Sequence, residues 1–237
     1  MILPNFILKS VIILILHVAI AARAGQEQYL RERTMMVQTQ IVERGVRDTS
    51  VLRALRTVPR HLFVPAEQQQ NAYQDSPLPI GYNQTISQPY IVALMTELIK
   101  PQPYFRVLEV GTGSGYQAAV LAALVDSVFS IELLPELATS AATRLKRLNI
   151  RNVVVRQGDG YQGWREHAPY DAILVTAAAD EVPAALIDQL KEGGRMIIPV
   201  GSAGSVQELM LIEKKGKKVV STSIIPVRFV PLIHPRK

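Results

Sequence analysis

Three short stretches carry residues arranged for chemistry. The first is Glu109-Val110-Gly111-Thr112-Gly113-Ser114-Gly115, which ends an apolar β-rich run and opens a helical one. Glycines at such a strand end let backbone N–H groups approach a ligand closely. Their GxGxG spacing lacks the third glycine of the loop that cradles a dinucleotide pyrophosphate, since Tyr116 stands in its place. The next apolar run, Ser127 to Ile131, ends at Glu132, an acid suited to accept two hydrogen bonds from a ribose diol. A third run is followed by Gly158-Asp159-Gly160, where Asp159 suits an adenine amino group and Gly160 gives the ring room. Singly, each feature is equally well a tight turn or a solvated acid. In series, one per strand end, they describe an adenosine ligand without a pyrophosphate, and S-adenosylmethionine fits that description.

A fourth stretch, Asn83 to Pro89 (NQTISQP), precedes an amphipathic run beginning at Pro89. Proline is at home in the first helical position, and the residue before it is pushed toward extended geometry. Gln88 is therefore the expected N-cap, and Ser87, the better capping residue, lies one position too early. The hydroxyls of Thr85 and Ser87 are left without a structural duty.

The elements that must position these residues are legible in outline. Gln26 to Arg44 has a helical pattern ending at Gly45, and Asp48 is placed to cap a second short helix reaching about Val58. From Phe105 onward, apolar runs alternate with helical ones: FRVLEV, SGYQAAVLAALV, SVFSIE, PELATSAATRLKRL, NVVVRQ, YDAILVTA, VPAALIDQL, GRMIIPV. That alternation predicts an α/β fold with a doubly wound, mostly parallel sheet covered on both faces. Val206 to Glu213 and Val219 to Val227, around Lys214 to Lys218 (KKGKK), read as a closing antiparallel hairpin with a solvated turn. The expected organisation is a signal-like segment at 1–24 and one domain at 25–237. Within that domain, 25–88 form a helical extension with an active-site loop, and 89–237 form the ligand-binding sheet.

Composition excludes several classes. The chain has no cysteine, which removes disulfides, thiol nucleophiles and Cys-ligated zinc. His17, His61, His167 and His234 show no paired metal spacing, so no metal is expected. Net charge is +6, and +4 without Lys9 and Arg23 of the first 24 residues; with no basic face interleaved with aromatics, no nucleic-acid partner is expected. Residues 1–24 combine Lys9, an apolar run from Val11 to Ala22 and an Ala22-Arg23-Ala24 cleavage pattern, which suits export; the run is short for a bilayer span.

The chain resembles the protein-L-isoaspartate O-methyltransferase family of class I S-adenosylmethionine-dependent methyltransferases, from about Tyr29 to Leu232. The resemblance is carried by VPRHLFVP (Val58 to Pro65), LPIGYNQTISQPY (Leu78 to Tyr90), VLEVGTGSGYQAAVLA (Val107 to Ala122), GDGYQGW (Gly158 to Trp164), PYDAILVTAA (Pro169 to Ala178) and RFVPL (Arg228 to Leu232). The glycine loop is common to many methyltransferases, whereas QTISQP together with RFVPL is specific to this family. The resemblance implies a seven-stranded Rossmann-like sheet and methylation of the free α-carboxylate of L-isoaspartyl residues. The ester then closes to succinimide, and hydrolysis returns aspartate. It implies that Thr85, Ile86 and Ser87 lie over the cofactor methyl group, with Ser87 the active-site serine. Gly111, Thr112, Gly113, Ser114, Gly115 and Glu132 would hold the methionine and ribose, Asp159 and Gly160 the adenine, and Arg228, Phe229, Val230 and Pro231 would lie near the substrate peptide. S-adenosyl-L-homocysteine is the implied product, isoaspartyl proteins and peptides the implied partners, and a monomer the expected state.

Three points stay open in the sequence. Tyr82-Asn83 replaces the small or polar pair that many members carry before QTISQP. The family is ordinarily cytoplasmic, where S-adenosylmethionine is made, whereas residues 1–24 suit export to the periplasm. Arg60 and His61 read either as a lip of the site or as a salt bridge holding the extension. Trp164 reads as packing, and Tyr116 and Gln117 as cover for the sheet edge.

Overall fold

The computed structural model describes residues 25–216 and 218–234, so the signal-like reading of 1–24 falls outside the described residues. No helix among the described residues is long and apolar enough to cross a membrane.

Helix α1 runs through residues 25–42, with its last part, Met36–Val42, π-helical. Helix α2 (Thr49–Thr57) starts where expected, because the Asp48 carboxylate accepts from the amides of Ser50 and Val51 at 2.8 and 3.0 Å. Its apolar face, including Val51, Leu52 and Leu55, is buried. Glu97 on α3 (Pro89–Leu98) ties this extension down, accepting from the backbone amides of Arg47 and Asp48 at 2.6 Å each. Helix α3 follows the proline rule: Gln88 is extended, caps with no side-chain bond, and leaves Ser87 outside the helix.

The extension is less purely helical than the sequence suggests. Leu78–Gly81 (β1) and Gln84–Ile86 (β2) form an antiparallel hairpin. Tyr82 and Asn83 are its turn, both with positive φ (52° and 56°), the backbone of a type I′ turn. The departure from the family pattern is thus a hairpin tip that keeps its shape with a tyrosine in an unfavourable conformation.

The main sheet has seven strands in the order β5-β4-β3-β6-β7-β8-β9, comprising β3 (Arg106–Val110), β4 (Ser127–Glu132), β5 (Val153–Gln157), β6 (Tyr170–Val175), β7 (Leu190–Val200), β8 (Gln207–Lys215) and β9 (Lys218–Val227). Strands β3 to β7 are parallel, and β8 pairs antiparallel with both neighbours. Successive residues point to opposite faces and enter separate cores. Val107, Val128, Ala172 and Ile197 join α2, α3 and α4 (Tyr116–Ala122), whereas Leu108, Phe129, Ile173 and Ile198 join Trp164 and α6 (Ala184–Gln189). Helix α5 (Pro135–Arg147) packs on β4 and β5. Trp164 is buried against Phe129, as its reading for packing expects. Lys214 does not belong to a solvated turn, because its Nζ donates to the carbonyls of Ile187 and Leu190 at the end of α6.

Strand order reverses between β3 and β6, so the loops leaving their carboxyl ends diverge and open a crevice. The glycine loop after β3 is folded back over β4, with the amides of Gly111 and Thr112 donating to Ile131 O at 2.8 and 3.2 Å. It is also supported from below. Glu109, fully buried on β3, pairs across the ladder with Ser130. The Ser130 hydroxyl donates to Glu109 Oε2, Thr112 Oγ1 lies 2.6 Å from Ser130 Oγ, and Glu109 Oε1 has no hydrogen-bond partner among the described residues.

Burial pushes the Glu109 carboxyl up to about 8, with the Ser130 bond opposing the shift and the charge of Glu132 adding to it. The folded chain therefore keeps a proton that the unfolded chain loses between the ordinary value of 4.5 and about 8, so stability falls as pH rises through that window and levels off above it. Glu109→Gln removes this slope. Denaturant profiles should show wild type losing up to about 1.4 kcal/mol per pH unit relative to the variant; parallel profiles would contradict a protonated Glu109.

Candidate functional site

The crevice holds a cavity of about 810 Å³, its open mouth included. Its walls bring together Thr85, Ile86, Ser87, Gly111, Thr112, Gly113, Ser114, Glu132 and Gly160, drawn from the β2–α3 segment and three strand ends. Val230 and Pro231 close one side. Two expected cofactor residues do not line it. Gly115 is the N-cap of α4, with φ 85°, and packs against Ala141 and Leu145. Asp159 caps the 3₁₀ turn Gly160–Gln162 by accepting from Tyr161 N at 2.9 Å, and its other oxygen lies 3.2 Å from His234 Nδ1. The helix after the loop accordingly begins at Tyr116, two residues later than the sequence suggests.

Several wall residues lack a sequence signal of their own. Tyr116 and Gln117, read as sheet cover, line the cavity, and Gln117 Nε2 is fixed by Thr96 Oγ1 at 2.9 Å. Thr176, after β6, binds the glycine loop, its hydroxyl 2.6 Å from Gly111 O and 3.0 Å from Val110 O. Leu232 and Ile233 arrive from the C-terminal segment. That segment is anchored by Leu232 N to Ala178 O (2.7 Å), by Tyr161 Oη to Leu232 O (3.1 Å), and by His234 stacked on Tyr161.

Arg60 forms neither a lip nor a salt bridge. It is fully buried, donates from Nε to Ala72 O at 2.8 Å, and lies 5.0 Å from the Tyr116 ring centroid, with no hydrogen-bond partner for Nη1 or Nη2 among the described residues. Burial lowers its pKa to about 10, still charged at neutral pH. His61 is half-buried, stacked on Tyr29 and 2.7 Å from Tyr73 Oη; desolvation lowers its pKa.

These residues suit S-adenosylmethionine on three counts. A Cβ on Gly111, where φ is +96°, would collide with Thr176 Oγ1, and one on Gly160 with Val110 Cγ1, so both close approaches require glycine. Glu132 accepts from Gly113 N (2.8 Å) and Leu134 N (3.0 Å) through different oxygens, leaving a lone pair on each for a ribose hydroxyl. The cavity lies at the carboxyl ends of the parallel strands where the strand order reverses, the place where doubly wound sheets bind their ligands.

A second cavity adjoins the first and shares Thr85, Ser87, Thr176 and Val230 with it. Its further walls include Ile91, Arg228 and Phe229. Ser87 thus stands in the partition, half-buried and with no hydrogen bond to its hydroxyl among the described residues. Neither cavity has a histidine or lysine among its lining residues.

Known proteins share this architecture and chain. A relative from Opitutus terrae named protein-L-isoaspartate O-methyltransferase is 53% identical over 96% of this chain and 97% of its own. One from Polaromonas, named protein-L-isoaspartate O-methyltransferase 2, is 57% identical over 87% of this chain and all of its own. Among solved structures, a protein-L-isoaspartate O-methyltransferase superposes with a TM-score of 0.77 at 32% identity, covering 85% of this chain and 65% of that one. A Plasmodium falciparum PCMT-type structure in complex with S-adenosyl-L-homocysteine gives 0.74 at 28% identity, covering 85% and 98%. Residues 31–237 match the family described as Protein-L-isoaspartate(D-aspartate) O-methyltransferase (PCMT), and the chain belongs to that family of S-adenosylmethionine-dependent methyltransferases.

Proposed function

We propose that this chain moves the methyl group of S-adenosylmethionine to the α-carboxylate of L-isoaspartyl residues in damaged proteins and peptides, with Ser87 orienting the carboxylate in the partition between the two cavities. The observation that carries this reading is the shared wall: one cavity suits the cofactor, the other suits a peptide, and Ser87 faces both.

Gly111 to Ser114, Glu132 and Gly160 would hold the cofactor, which supplies an electrophilic methyl group on sulfur. The acceptor carboxylate is anionic at neutral pH and needs no proton removed, which agrees with the absence of histidine and lysine from both linings. The task left to the protein is alignment and exclusion of water, a contribution that reaches about 7 to 11 kcal/mol in well-oriented systems. A single hydroxyl donor orients the nucleophile while leaving most of its reactivity intact. The Arg228 to Val230 segment, pinned through Ala178, forms the far side of the peptide groove, and Pro231 after it closes the cofactor cavity. Asp159, held by Tyr161 and His234, stands at the adenine end as a cap for the turn carrying Gly160. Both cavities are complete within one chain, which supports action as a monomer, and dependence on S-adenosylmethionine supports action in the cytoplasm.

Ser87→Ala should lower kcat with an isoaspartyl peptide by about ten- to a hundredfold, the worth of a hydrogen bond to a charged group, while the Kd for S-adenosylmethionine stays within about twofold. Unchanged turnover would remove Ser87 from this role. Glu132→Gln should instead raise the cofactor Kd about tenfold in calorimetry, since it loses charged acceptors for both ribose and loop; an unaltered Kd would mean that the ribose is held elsewhere.

A further inference from the structure

The groove beside Ser87 has an uneven charge. Its lining mixes apolar side chains such as Ile91, Ile225 and Phe229 with two guanidinium groups, Arg44 and Arg228, and contains no carboxylate. The two cations are not equivalent. Arg44 is committed: Nη1 pairs with Asp75 Oδ2 at 2.9 Å, and the guanidinium lies 3.4 Å from the centroid of the Tyr90 ring. Arg228 is exposed and has no hydrogen bond, ion pair or ring contact among the described residues.

Its backbone neighbours are fixed all the same. Phe229 N donates to Gln207 Oε1 at 2.9 Å, and Val230 O accepts from Ala178 N at 2.8 Å. An uncommitted charge is thus mounted on a held segment. Arg228 lines the groove and not the cofactor cavity, in contrast to Ser87, Thr85, Thr176 and Val230, which line both. It stands off the point of methyl transfer and faces whatever extends from it.

We propose that Arg228 is a specificity-determining residue that selects isoaspartyl segments carrying an acidic side chain beside the damaged residue. The proposal rests on the reading of Ser87 as the transfer point. The damaged residue's own carboxylate sits in the partition, and the chain running from it along the groove brings a neighbouring side chain to Arg228. A carboxylate there pairs with the only groove guanidinium that lacks a partner among the described residues, whereas an ammonium there meets a like charge. The contact is solvent-exposed, so its effect is modest and sensitive to salt.

The test is a set of isoaspartyl peptides identical except at one flanking position, taken in turn on both sides, that carries Glu, Gln or Lys. At one position or more, KM should rise from Glu through Gln to Lys by about two- to fivefold per step, with kcat unchanged and the spread compressed in high salt. Arg228→Gln should erase the spread, and Arg228→Lys should restore part of it. Equal KM values across all positions, or the same spread in Arg228→Gln, would overturn charge selection alone. If none of the peptides is methylated, the neutral Gln series included, the reading of the transfer point falls and the proposal falls with it.

Discussion

The whole site depends on one close approach, that of the Gly111 backbone to Thr176. Thr176 Oγ1 occupies the space where a Cβ would be, and its hydroxyl bonds the carbonyls of Val110 and Gly111. This contact joins the ends of β3 and β6 where the strand order reverses. With the loop bent back onto Ile131, its amides turn toward Glu132, and the carboxylate takes the Gly113 N–H. A larger residue at 111 would separate the two strand ends and misplace the acid, the loop and the partition wall together.

Beneath that approach lies a set of buried polar groups with few partners. Among the described residues, Glu109 leaves one oxygen unbonded, and Arg60, beside the Tyr116 ring, leaves two nitrogens unbonded. Such groups are costly in an apolar interior. They join the glycine loop to β4 in one case, and the extension to the first turn of α4 in the other. The extension is therefore part of the first cavity's support as well as a cover for the sheet.

Much of this was legible in the sequence, because the signals were local. Alternating apolar and helical runs announce a covered parallel sheet, Asp48 caps α2 through its own neighbours, and Pro89 alone decides that Ser87 is free of the helix. Gly111 and Gly113, Glu132 and Gly160 are readable because each lies at or just after the end of a strand. The parts that were missed are made by distant contacts. Nothing near Tyr116 marks it as a cavity wall, and Leu232 reaches the first cavity through partners at Ala178 and Tyr161 that no periodicity reveals. Arg60, polar in an apolar motif, drew attention correctly, but its surroundings were invisible because a buried cation without a carboxylate leaves no paired acid in the sequence. Strands β1 and β2 are too short for alternation to show.

The hairpin tip at Tyr82-Asn83 has a consequence for how the site is held. A glycine pair there would adopt the turn without strain but would lose much conformational freedom on ordering. Tyr82 and Asn83 reverse that balance, accepting a less favourable backbone in the folded state while starting from a narrower unfolded ensemble. Strand β2, which carries Thr85 and leads into Ser87, therefore starts from a two-residue turn of defined backbone shape. The wall shared by the two cavities is thereby tied at one end to a tight turn.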